Sequence, residues 1–189
     1  MLDILPPAFT LAGARRAGLR KDEIYRAVED GSLERIGRGA FVKVDSLDPS
    51  LVSLAAAAAV QSAATMCLTS ALVYHELSDA IPAGTDIALP RGTRHPAGFS
   101  HVTWHSFDQA TFGIGREPLE GQEGLYCYSA ERVIVDAFRL AYLEGRATAV
   151  GALKRWLSAR GNYPAKLLET AKAFPKAYPA IRSALELLA

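Results

Sequence analysis

The chain is poor in cysteine, in net charge of either sign and in uninterrupted apolar runs. Its 189 residues include only two cysteines, Cys67 and Cys127, each beside apolar or aromatic neighbours and without C-x-x-C spacing. Such usage points to buried thiols in a reducing compartment and leaves a single disulfide open. The most apolar stretch, Leu51 to Leu68, is dominated by alanine and interrupted by Ser53, Gln61, Ser62 and Thr65, which makes it marginal for crossing a bilayer. Met1 to Pro7 has no basic region leading into a long apolar run and does not read as a signal peptide. With 21 Lys and Arg against 20 Asp and Glu, the formal net charge is +1. The whole chain is therefore no polyelectrolyte partner for nucleic acid, although a small module need be basic on one face only. No G-x-G-x-x-G or other phosphate-binding loop is present, and no internal repeat. The expectation is a cytoplasmic protein without a membrane span and without a cofactor.

Half of the residues are apolar and 22% are charged, a balance that folds. The length suits one large domain, or a small one with a medium one. The organising stretch is Thr10 to Val44, TLAGARRAGLRKDEIYRAVEDGSLERIGRGAFVKV. Leu11, Ala14 and Ala17 pattern a first helix that Gly18 ends. Ile24, Ala27 and Val28, at i, i+3 and i+4, pattern a second from about Lys21 to Asp30. A hairpin-like segment, Leu33 to Val44, follows, with Gly37 and Gly39 permitting a tight turn around Arg38. Two short helices and a basic ribbon are the layout of a winged helix-turn-helix. Met1 to Pro7, which has room for one helical turn, is a poor first helix for such a module.

Candidate DNA contacts follow from the solvent-side positions. Arg20, Lys21 and Tyr25 are expected nearest base edges, with Arg26 also outward. Arg15, Arg16, Arg35, Arg38 and Lys43 are expected on phosphates, which supply most of the affinity. Arg20 and Lys21 stand where positive charge opposes the helix dipole by about 0.3–1 kcal/mol. That placement makes sense if phosphate waits there. The plainer alternative has Asp22 capping the helix and pairing with Arg26 one turn on. The ribbon likewise has a plain alternative, an ordinary hairpin with exposed arginines.

Asp45 to Ser50 is polar and marks the expected boundary between a domain at 1–46 and one at 47–189. The reduced N-terminal module is expected to lean on residues beyond Pro49 for its core. Helices are expected at Leu51–Gln61, at Ala71–Leu77 behind a Thr69 or Ser70 cap, and at Ala130–Leu143 behind Ser129. Strands are expected near Ala64–Leu68 and at Thr85–Leu89, His101–Phe107 and Gly124–Tyr128. From about 146 to the end the pattern is helical, and Ile181, Leu185 and Leu188 share one face. The fold class is α+β: a winged helix-turn-helix, then a mixed α/β domain with a helical C-terminus. Between the first two long strands, a Pro- and Gly-rich loop carries Arg91, Arg94 and His95 and is expected to add a second basic contact.

Catalytic constellations are weak. His75, His95, His101 and His105 invite a metal reading, but His101 and His105 would share a strand face over about 13 Å apart at ~3.3 Å per residue, and a zinc site would need four close ligands, with the loop folding back to bring His95 near. Hydrogen-bonding or solvated histidines are the simpler expectation. Arg132 and Asp136, at i and i+4, are expected to make a surface or half-buried pair, with Glu131 helping to cap their helix. Neither cysteine has a local signature of a nucleophile, and no Asp…Glu-x-Lys nuclease pattern is present. The sequence does not read as an enzyme.

The order of pieces resembles the AbiEi family of type IV antitoxins. The residues that carry the resemblance are FTLAGARRAGLRKDEIYRAVEDGSLERIGRGAFV, CLTSALVYHEL, IALPRGTRHP and YSAERVIVDAF, spread over most of 9–140. The resemblance implies an N-terminal winged helix-turn-helix that binds operator repeats ahead of its own operon and represses it. It also implies a C-terminal domain needed for antitoxin action against a nucleotidyltransferase-like toxin, without a general need for direct contact. Where the family often has Ser or Thr before the second helix, this chain has Arg20. An alternative function is a protein-interaction module that masks a toxin through its C-terminal helices, using the face of Ile181, Leu185 and Leu188.

Overall fold

Alternation along one four-residue strand decides how the N-terminal third is built. In the computed structural model, which describes residues 2–188, strand β3 (Ala40–Lys43) points Phe41 to one side and Ala40 and Val42 to the other. Successive strand side chains face opposite ways, so a strand buried on both faces must serve two cores. β3 is central in a three-stranded antiparallel sheet, between β1 (Ala8–Thr10) and β2 (Leu33–Gly37). Phe9 lies opposite Phe41 across β1 and β3, and the two rings stack with centroids 5.9 Å apart.

Helices α1 (Leu11–Arg16) and α2 (Lys21–Glu29) cover the Phe9 and Phe41 face. Their small core gathers Ala14, Leu19, Ile24, Ala27 and Leu33. The other face belongs to the main core, where Ala40 and Val42 join Leu51, Leu54 and the buried alanines of α3 (Val52–Val60). Alanine suits this position because its short side chain lets helix and sheet approach closely. The alanine run is thus the seam between the first sheet and the rest of the chain.

The second sheet has five strands in the order β6-β5-β4-β8-β7. They are β4 (Thr65–Met66), β5 (Thr85–Pro90), β6 (Val102–Phe107), β7 (Arg116–Pro118) and β8 (Tyr126–Tyr128). β5 runs parallel to β6 and antiparallel to β4, while β4 is parallel to β8. α4 (Leu68–Tyr74) and the four-residue α5 (Gln109–Phe112) flank it. α6 (Ala130–Arg139) is buried along almost its whole length. It is followed by α7 (Ala141–Glu144), α8 (Arg146–Ser158), α9 (Pro164–Lys172) and α10 (Tyr178–Leu188). The whole is α+β.

Several local expectations shift. β1 was not foreseen, because three residues cannot display alternation and only pairing with β3 makes them a strand. α4 starts at Leu68 and not at Ala71. The Ser70 hydroxyl accepts from the Asp86 backbone N–H at 2.8 Å instead of capping the helix. The expected helix over 130–143 divides at Leu140, whose φ of −110° and ψ of 28° leave the helical region. Ser129 does cap α6, its hydroxyl accepting from the Arg132 N–H. Residues 2–4 make a single 3-10 turn. Met1 and Ala189, the ends of the two expected domains, lie outside the described residues.

Candidate nucleic-acid interface

α1 and α2 meet through a turn that needs glycine. Gly18 has a φ of +89°, a region that side chains rarely adopt. The chain then enters α2 through Arg20, whose backbone N–H donates to Glu23 Oε2 at 2.6 Å. At the start of α1 the Thr10 hydroxyl accepts from the Gly13 N–H at 3.0 Å. Ile24 and Ala27 seat α2 on the small core. That leaves Lys21, Asp22, Arg26 and Glu29 exposed, and Tyr25 half-buried with its ring edge-on to Phe41.

The expected contacts divide by how they are engaged. Arg15, Arg16, Arg38 and Arg94 are exposed and, among the described residues, make no ion pair or hydrogen bond through their guanidinium groups. Lys21 Nζ lies 5.5 Å from the centroid of the Tyr25 ring. Arg20 stands 3.6 Å from both Asp22 and Glu23, and Arg26 is 3.3 Å from the same Asp22. Two findings follow. Asp22 pairs with Arg26 but does not cap α2, since Glu23 supplies the carboxylate at that end. Nor is Arg20 an uncompensated cation opposing the helix dipole, because two carboxylates share its charge. Both arginine side chains remain 70% exposed. Such exposed pairs are worth about 0–1 kcal/mol.

Arg35 is exposed, its Nε 3.4 Å from the carbonyl of Gly37. Lys43 stands apart from the others. Its ammonium donates to the carbonyls of Leu5 at 2.7 Å and Leu2 at 3.4 Å. It therefore holds the 3-10 turn onto β3, at the far end of the hairpin from Arg38. No local signal reveals a bond to carbonyls some forty positions earlier. Arg91 pairs loosely with Asp108 at 3.7 Å. The loop that carries Arg91 and Arg94 meets the ribbon tip, where the Arg38 N–H donates to the Ala97 carbonyl at 3.0 Å.

Groups with catalytic potential are arranged otherwise. Asp86 Oδ1 lies 2.9 Å from His105 Nε2, and Oδ2 lies 3.3 Å from the Ser70 hydroxyl. Hydroxyl and imidazole both address the carboxylate and not each other, so they do not form a nucleophile–base pair. Cys127 Sγ is 3.8 Å from His75 Nε2, but that nitrogen is 2.7 Å from the Tyr128 carbonyl. A carbonyl only accepts, so Nε2 carries the proton and is no base toward sulfur. Burial also pushes the Cys127 thiol up to about 12. His95 Nε2 meets the Ser106 hydroxyl at 3.0 Å. Among the described residues, no three of His, Cys, Asp and Glu gather as a metal-binding group.

The Arg132–Asp136 expectation needs correction. The pair is fully buried, with Nε to Oδ2 at 2.9 Å and side chains 0% and 1% exposed. Arg132 is wedged between the Tyr128 and Phe174 rings, each 4.4 Å from its guanidinium carbon. Glu131 meets Lys166 of α9 at 2.7 Å. Burial works against its charge. Lys166, the start of α6 and Ser129 together outweigh that burial and hold the carboxyl below its ordinary value. Spacing marks i and i+4 pairs but does not say how much chain will cover them.

On α10, Ile181 and Leu185 are buried against the main core, so most of that apolar face is used within the chain. Leu187 remains 85% exposed. Among the described residues, no helix is long and apolar enough to cross a membrane.

No family model matches the chain, and no curated protein matches it. Among solved structures, it is similar to the crystal structure of the RV2827C protein from Mycobacterium tuberculosis, over 96% of this chain and 72% of that one. The TM-score is 0.64 at 17% sequence identity, a likeness of fold alone.

Proposed function

We propose that residues 8–43 act as a winged helix-turn-helix that binds double-stranded DNA. The observation that carries this reading is the pairing of α2, seated by Ile24 and Ala27 with Lys21, Tyr25 and Arg26 outward, with a hairpin whose tip bears an unpaired Arg38. Arg20, Lys21 and Tyr25 face the major groove and set sequence preference. Arg15, Arg16, Arg35, Arg38 and Arg94 hold phosphates, while Lys43 is kept for the protein's own backbone. The chain is then a binding protein with no catalytic step, working in the cytoplasm.

The resemblance to AbiEi antitoxins extends the proposal to a repressor of its own operon. It would counter a nucleotidyltransferase-like toxin, with no general need for direct contact. Masking of a toxin by the C-terminal helices is the rival, and it has to rely on Leu187 and the open trough beside Leu157, Leu168 and Tyr178. Co-purification with the neighbouring gene's product would favour masking, whereas a DNA shift without such a complex would favour repression.

A filter-binding titration of duplex DNA against salt tests the DNA reading. Affinity should fall steeply, with a log–log slope of about −0.9 for each phosphate held. A flat dependence would overturn the phosphate contacts. Arg38→Ala should weaken all duplexes alike, and Lys21→Ala or Tyr25→Ala should alter preference among them.

A further inference from the structure

The ribbon tip is not a swinging wing. Three contacts fasten it to the loop over 91–100, which springs from the second sheet. The Arg38 N–H donates to the Ala97 carbonyl at 3.0 Å. Gly37 lies so close under Phe99 that a Cβ there would meet the ring at 2.3 Å. Gly98 backs onto Arg38, where a Cβ would come within 3.1 Å of the Arg38 nitrogen. Phe99 itself is buried in the main core and stands edge-on to Trp104 of β6, ring centroids 5.5 Å apart. His95 stacks on the same Trp104 at 5.9 Å. The unpaired guanidinium groups of Arg38 and Arg94 therefore belong to two segments joined into one edge.

Resting on the DNA reading above, we propose that ribbon tip and loop form one composite edge for the duplex backbone, with Phe99 as its positioning residue. A wing that must be ordered on binding loses conformational entropy in doing so. Here the hydrogen bond and the Phe99 wedge settle that cost during folding, so Arg38 meets its phosphate already placed. Phe99 touches no DNA in this arrangement. It acts through Gly37 and the backbone of Arg38.

The test uses the full chain and a labelled mixed-sequence DNA duplex, whose backbone suffices as the probe. Wild type should show a salt slope that Arg38→Ala lowers by about 1. Phe99→Ala should lower it by the same amount, and the double variant should fall no further. Gly37→Ala, which drives a methyl into the ring from the other side, should behave like Phe99→Ala. Additive losses, or a folded Phe99→Ala with the wild-type slope, would overturn the positioning role. Hydrogen exchange reads the joint without DNA and without a variant. The Arg38 amide should be protected in wild type, and rapid exchange there would overturn the composite edge. If wild type binds no duplex at all, the DNA reading itself falls, an outcome distinct from a failure of the variants alone.

Discussion

Arg132 shows what a single residue contributes once tertiary structure encloses it. Its Nη1 donates to the carbonyls of Thr111 and Ile114 at 2.7 Å each, while Nε meets Asp136. Asp136 also receives Arg139 at 2.9 Å. Removing the carboxylate leaves a buried cation without its counter-charge, a loss of about 3–5 kcal/mol. Arg132→Met should cost less than Asp136→Ala, because Asp136 keeps Arg139 and methionine fills the slot between the rings. Urea denaturation of the two variants measures the order. The cysteines give a second prediction. Burial pushes both thiols up, Cys127 to about 12 from an ordinary 9.0 and Cys67 well above it. Alkylation at neutral pH should therefore be slow in the native protein and fast in denaturant, as thiol titration would record. The sign of the pH effect is fixed: above about pH 9 the unfolded thiols ionise while the folded ones stay protonated. Stability should then fall as pH rises from 9 toward 12, measured by the denaturation midpoint.

At the scale of elements, α2 was the most legible. Its i, i+3, i+4 pattern sets Ile24 and Ala27 inward without help from distant residues, and the helix ends within a residue of the expected limit. Strand β1 was not legible, because its identity comes from Ala8, Phe9 and Thr10 lying opposite Val42, Phe41 and Ala40. Thr10 does two jobs there, ending β1 and capping α1 through its hydroxyl. Thr10→Ala should destabilise the protein by about 1 kcal/mol, whereas Thr10→Ser should retain most of the bond. Thermal melts of both would separate the cap from the methyl. The start of α4 was misread for a related reason. Ser70 carries a capping side chain, but the fold brings Asp86 to it from sixteen residues away.

Across the whole molecule, α3 and the Phe99 contact bind the N-terminal sheet to the rest. Ala40 and Val42 share the main core with residues as distant as Ile181. The N-terminal sheet and the second sheet share one continuous buried core, so the two should unfold together. Calorimetry should show one transition with matching calorimetric and van't Hoff enthalpies. An early, separate melt of the Phe9 and Phe41 core would contradict this. Gly37→Ala, by pushing Phe99 out, should lower the midpoint of that single transition without splitting it.

The sequence by itself determined what local periodicity and turn chemistry control. These include the two short helices around Gly18, the hairpin around Arg38, the α+β class and the exposed side of α2. Each depends on residues within about one turn or one hairpin of each other. Tertiary structure decided what depends on chain brought from far away: that Lys43 spends its charge on the carbonyls of Leu2 and Leu5, and that Arg132 is wholly buried. It also decided that the ribbon tip is fastened to the loop beyond Pro90. The physical reason is that a side chain's polarity fixes only what it can bond, whereas packing between distant segments fixes what it meets.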